Sequence, residues 1–129
     1  MKFERDDSQG HNTFTGYGEG YVMVNGKRHA SSLVVSGDRI IADWPAASLE
    51  ALAADHLAAI VELKPEIVLL GSGATFRFPE PGLLAPLHQA GIGVEVMDTP
   101  AACRTYNILL GEGRNVVAAL ILGSDPDLP

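Results

Sequence analysis

The sequence predicts an α/β fold: an N-terminal antiparallel meander followed by parallel strands joined through helices. Two observations carry this. Between Tyr17 and Trp44 apolar and polar residues alternate with the period of strands, broken by turn signals. After Trp44 the pattern changes to helical spacing, and the helices separate short apolar runs. Strand, helix, strand, helix, strand at these lengths implies crossover connections and a partly parallel sheet.

Taken in order, Gly20 to Val24 reads as a strand. Asn25-Gly26 is a strong hairpin signal, because both residues tolerate the positive φ that a two-residue turn needs. A second strand is expected through Ser31 to Val35, and a turn at Ser36-Gly-Asp38 leads into Arg39 to Asp43. Ser48 is placed to cap a helix, with Glu50 in its first turn complementing the helix dipole. Leu49, Leu52, Ala53, His56, Leu57 and Ile60 recur at helical spacing, and Lys64-Pro65 stops the helix. Glu66 to Leu70 is a continuous apolar run suited to a parallel strand covered on both faces. A Gly-rich loop leads to a short helix over Leu83 to Gln89, ended by Gly91. Val94 to Met97 is the next strand, parallel to 67–70. A helix follows from Pro100, with Asp98 or Thr99 as its cap and Pro100 in the first turn, where the missing N–H is harmless. Val116 to Leu122 closes the pattern as a strand. The domain spans 13–122, with residues 1–12 and 123–129 expected to be flexible tails.

The 129 residues fit one domain, and the hydrophobic share of 47% against 19% charged residues is that of a globular protein. The formal net charge is −7, from nine Lys/Arg and sixteen Asp/Glu. An acidic balance argues against non-specific nucleic-acid binding and against an anionic membrane surface, both of which require a basic face. A single cysteine cannot form an internal disulfide, which favours a reducing compartment. The amino terminus carries no apolar segment resembling a signal peptide, and no apolar run is long enough to span a bilayer. The expected location is the cytoplasm.

Several ordered stretches resemble a known family. They include Tyr17-Gly-Glu-Gly-Tyr-Val-Met-Val-Asn-Gly26, Ser32-Leu-Val-Val35, Trp44-Pro45, Leu69-Leu-Gly-Ser-Gly73, Arg77-Phe-Pro79, Gly93-Val-Glu-Val-Met-Asp-Thr99, Thr105-Tyr-Asn107 and Glu112-Gly-Arg114. Together they are similar to the small domain shared by mitochondrial complex I assembly factor 3, the adipogenesis-associated cytosolic protein and many bacterial and archaeal proteins. The resemblance implies a single three-layer α/β domain with a mixed sheet, no established catalytic activity, and action through a protein partner. This chain shows no mitochondrial targeting extension, so a role in organelle complex I assembly is not carried over.

Three groups of residues are candidates for chemistry. Cys103 falls near a helix N-terminus beside Arg104, where dipole and charge lower a thiol pKa. It also shares a helical stripe with Tyr106, Asn107 and Leu110, and His11, His29, His56 and His88 all lie in other segments. Packing is therefore the expected role. Gly71-Ser-Gly73 follows a strand as a phosphate-cradling loop does, but it lacks both the Gly-Lys-Ser/Thr and the Gly-x-Gly-x-x-Gly continuation. It reads as a tight turn. Arg77 and Arg104 are expected at the carboxyl edge of the parallel strands, where ligands of open α/β sheets bind. There they serve either as an anion site, with Gly71 and Gly73, or as charge partners of Glu95 and Asp98. The second role is favoured because a mid-strand carboxylate needs a cation if buried. No metal shell, cofactor motif or nucleophile elbow is present. The sequence thus favours a non-enzymatic interaction or assembly module with an unidentified protein partner. The alternative is a small-anion or metabolite-binding protein, or an enzyme, using Gly71, Gly73, Arg77 and Arg104.

Overall fold

Asn25 and Gly26 turn the chain where the sequence places a hairpin, both with positive φ (52° and 82°). The computed structural model, which describes residues 10–122, gives this hairpin a different return strand from the expected one. Strands β1 (Phe14–Gly18), β2 (Tyr21–Val24) and β3 (Lys27–His29) form an antiparallel sheet in that order. Val24 pairs with Lys27 across the two-residue turn, so β3 starts directly after Gly26. The apolar run expected as its partner goes elsewhere: β4 (Leu33–Ser36) pairs antiparallel with β5 (Ile40–Ile41) and with β8 (Val116–Leu120). An N-terminal antiparallel meander is thus present as β1-β2-β3, and the correction is to its membership: the strand expected at 31–35 belongs to the central sheet. The physical reason is burial. Every residue of β4 is buried, which suits the doubly covered central sheet, whereas Lys27 and Arg28 are exposed on the small one.

The central sheet has five strands in the order β5-β4-β8-β6-β7, with β6 (Ile67–Gly71) parallel to both β7 (Gly93–Met97) and β8. The parallel strands expected at 67–70 and 94–97 are present, in register from Ile67 with Gly93 to Gly71 with Met97. Side chains alternate between two cores. Val34, Val68, Leu70, Val117 and Ala119 pack with Leu57, Ile60, Leu84 and Leu87. These come from α1 (Ala54–Val61) and from a 3₁₀ turn, Pro81–Leu84, that runs into α2 (Ala85–Gln89). Leu33, Val35, Leu69, Ala118 and Leu120 face the opposite way, against Ala102, Cys103 and Tyr106 of α3 (Thr99–Gly111) and Phe14, Val22 and Val24 of the small sheet. The result is a mixed-sheet α/β sandwich of three layers.

Helix α1 begins later than its periodicity suggests. The Ser48 hydroxyl accepts a bond from the Ala51 amide (3.1 Å) and closes a separate turn. Ala53 is extended, and the His56 Nδ1 accepts from its amide (3.0 Å) as the real helix start. Leu49 and Leu52 are buried before the helix, because one turn satisfies an i, i+3 spacing as well as a helix does. Of the expected tails, residues 1–9 and 123–129 lie outside the described residues. Asn12, inside them, donates its amide to Gly37 O and its Nδ2 to Ser36 O, which ties it to the turn after β4.

Candidate functional site

The loops after β6 and β7 meet at the carboxyl edge of the parallel strands, as topology predicts, and Thr99 fills the space between them. Its amide donates to Gly73 O (2.8 Å). Its hydroxyl accepts from the Gly73 amide (3.0 Å) and donates to Ile121 O (3.1 Å). Gly71 permits this approach. A Cβ there would lie 2.8 Å from both the Thr99 Oγ1 and the Leu120 side chain, and 3.1 Å from the Thr99 backbone. Gly73 has φ +114°, a conformation that L side chains rarely adopt. The Gly-x-Gly turn is therefore built for close helix–strand packing.

An anion cradle needs backbone donors that point outward without partners. Here the Ser72 amide donates to Met97 O, the Gly73 amide to Thr99 Oγ1, and the Arg77 amide to the Ser72 hydroxyl, which itself donates to Thr75 O. At the start of α3 the Asp98 carboxylate accepts from the Ala101 amide (2.8 Å), Asp98 O accepts from Ala102, and Pro100 has no N–H to offer. Asp98 is the helix cap, and the positive end of α3 already faces a carboxylate of the chain itself.

The two arginines diverge. Arg77 pairs with Glu50, which lies in the turn before α1; the guanidinium holds that exposed carboxyl below its usual range. Arg104 projects on the other side of the sheet, where its Nη1 donates to the Tyr17 hydroxyl (2.7 Å) and its guanidinium lies 5.8 Å from the Tyr17 ring centre. Glu95 is exposed on β7, which is an edge strand bonded only to β6. Among the described residues no ion pair joins Arg104 to Glu95 or Asp98. The expected group of Gly71, Gly73, Arg77, Arg104, Glu95 and Asp98 is thus divided. Glu95 needs no buried cation because solvent reaches it, and a charge on an edge strand opposes strand-to-strand aggregation. Arg114 closes the far end of the sheet on Glu66 (2.8 Å), a pair that lowers the Glu66 carboxyl.

Cys103 is buried between α3 and the sheet, and burial pushes its thiol up to about 12, outweighing the lowering effect of Arg104. A thiol that stays protonated through neutral pH is a poor nucleophile. Tyr106 behaves likewise, its phenol raised by burial while its hydroxyl donates to Asn12 O (2.9 Å).

Sequence reasoning missed two features. One is a pocket of about 330 Å³ between β1 and α3, lined by Phe14, Gly16 and Tyr17 on one wall and Cys103, Arg104 and Ile108 on the other. The other is the segment from Ser72 to Glu80, which holds Phe76 (59% exposed) and Phe78 (58% exposed) in solvent. Pro79 is buried beside them, and the Arg77–Glu50 pair and the Ser72 hydroxyl fasten the same loop. The signal was available in Phe76-Arg-Phe78, two large apolar residues in a loop, but a sequence does not say which apolar residues are left uncovered.

Residues 14–121 match the model of a family described as protein of unknown function (DUF498/DUF598). A bovine protein named NADH dehydrogenase [ubiquinone] 1 alpha subcomplex assembly factor 3 is 36% identical over 101 residues, covering 77% of this chain and 54% of the relative. The chain thus spans about half the length of that curated relative. A crystal structure of a Bordetella parapertussis protein is 41% identical, with a TM-score of 0.82 over 87% of this chain and 96% of that one. A solution structure from Bordetella pertussis, titled a Mth938-like domain, is 34% identical, with a TM-score of 0.80 over 97% and 94%. No helix among the described residues is long and apolar enough to cross a membrane.

Proposed function

The chain belongs to the DUF498/DUF598 family, and from that premise we propose that it is a non-enzymatic interaction or assembly module acting on a protein partner. The observation that carries this reading is the pair Phe76 and Phe78, held more than half exposed on a fastened loop. Exposed aromatic side chains on a pre-ordered segment are the usual anchors of protein recognition, since they bury large area at small entropic cost. The kinship to a complex I assembly factor supports the same class of role. The Gly73 and Ala101 amides are taken by Thr99 and Asp98, and burial keeps the Cys103 thiol protonated, which disfavours anion capture at the start of α3 and nucleophilic chemistry at that edge. The proposed location is the cytoplasm, in keeping with one free cysteine.

The test is photo-crosslinking in the native host, with a benzophenone amino acid at position 76 and, as a control, at exposed Glu62. The reading expects a discrete adduct from position 76 and none from position 62. Equal, diffuse labelling from both positions would count against it.

A further inference from the structure

The pocket between β1 and α3 belongs to neither the loop of Phe76 nor the turn of Gly71, and its chemistry is specific. Its lining is largely apolar: Phe14 and Cys103, both almost wholly buried, form its floor, with Gly16, Tyr17 and Ile108 beside them. Ile108 is 61% exposed and Tyr17 40% exposed, so apolar surface continues from the pocket to its mouth. One formal charge stands there. The Arg104 guanidinium is held by the neutral Tyr17 hydroxyl, and among the described residues no carboxylate pairs with it. The other polar side chain of the lining, Asn107, is occupied, with its Oδ1 and Nδ2 bonded to the backbone of Phe14. A pocket of about 330 Å³ is within the usual range of small-molecule sites, about 300–1,000 Å³, in which apolar walls bind and one or two polar groups orient.

We propose that this pocket binds an amphipathic monoanion: a short apolar chain or ring whose carboxylate pairs with Arg104 and accepts from the Tyr17 hydroxyl. The apolar body lies against Phe14, Cys103 and Ile108, and the carboxylate supplies the counter-charge that Arg104 lacks. Arginine presents a planar fork matched to a carboxylate, and beside apolar walls such a charge-assisted bond is stronger than in open water. The excess of acidic residues in the chain gives no long-range attraction for anions, so the apolar part supplies much of the affinity. This inference is independent of the partner-binding role of the 72–80 loop.

The test is a titration of the whole isotope-labelled protein followed by amide NMR, with three probes: octanoate, 1-octanol and acetate. Octanoate is expected to shift the amides of Gly16, Tyr17, Arg104 and Ile108 saturably, while acetate at the same concentration leaves them in place. Arg104→Gln should weaken octanoate about tenfold and leave octanol unchanged, as loss of one charge-assisted contact predicts. Ile108→Ser should weaken both octanoate and octanol. Both side chains are exposed, so the variants are expected to melt with the wild type. The proposal is overturned if octanoate produces no saturable shift at these amides, if acetate reproduces its pattern, or if Arg104→Gln binds octanoate as the wild type does.

Discussion

Asn107 and Phe14 lie 93 positions apart and exchange two hydrogen bonds. The Phe14 amide donates to Asn107 Oδ1 (3.0 Å), and Asn107 Nδ2 donates to Phe14 O (2.7 Å). The side chain of α3 thereby takes the place of a neighbouring strand at the start of β1. Beside it the Phe14 and Tyr106 rings meet edge to face, with centres 5.1 Å apart. These contacts fasten the small sheet onto α3, and Phe14 and Asn107 both line the β1/α3 pocket.

Asn107→Leu should therefore cost roughly 2–4 kcal/mol, because it leaves both backbone groups of a buried residue without partners. Urea denaturation measures the loss. Hydrogen exchange should locate it, with amides of β1 and β2 accelerated before those of β6.

Gly71→Ala should destabilise by roughly 1–3 kcal/mol, since the added methyl meets the Thr99 backbone as well as two side chains. Thr99→Val keeps the shape but leaves Gly73 N and Ile121 O without their bonds, and should cost about 1–3 kcal/mol. Thermal melts of the two variants separate a packing role from a ligand-binding one: phosphate or nucleotide should rescue neither.

The pH dependence follows from Cys103. Its thiol lies at about 12 in the folded chain against 9.0 for an ordinary thiol, so above pH 9 the unfolded chain holds fewer protons than the folded one. Stability is fully present below that value and declines as pH rises from 9 towards 12, by up to about 1.4 kcal/mol per pH unit. The raised Tyr106 phenol adds a decline of the same sign, starting from its ordinary value of 10.0. Cys103→Ala should flatten the curve between pH 9 and 10, where the tyrosine has barely begun to contribute; an unchanged slope there would place the thiol in solvent contact.

The elements that the sequence announced are those fixed by local chemistry. Asn25-Gly26 sets its own turn, Asp98 with Pro100 sets the start of α3, and the short apolar runs at 67–70 and 94–97, set between helices, form strands, the first covered and the second at the sheet edge. What it did not announce depended on long-range choice. Residues 27–29 and 33–36 lie close in sequence yet join different sheets, because only the central sheet covers both faces of Val34 and Val35. The arginines were placed at the correct loop and helix, but a side chain's direction is set by the layer it faces. Arg77 turns to Glu50 and Arg104 to Tyr17, across 27 and 87 positions. The pocket itself exists only once β1 lies on α3.

The most direct measurement of the proposed role compares proteins recovered from the native host with tagged wild type, the Phe76→Ser/Phe78→Ser double variant and Arg104→Gln, quantified by mass spectrometry. All three should melt together, since the altered side chains are exposed. The account predicts a defined partner that co-purifies with the wild type and with Arg104→Gln and falls about tenfold or more with the double variant, as loss of two aromatic anchors requires. Equal recovery of the same proteins from all three would contradict it.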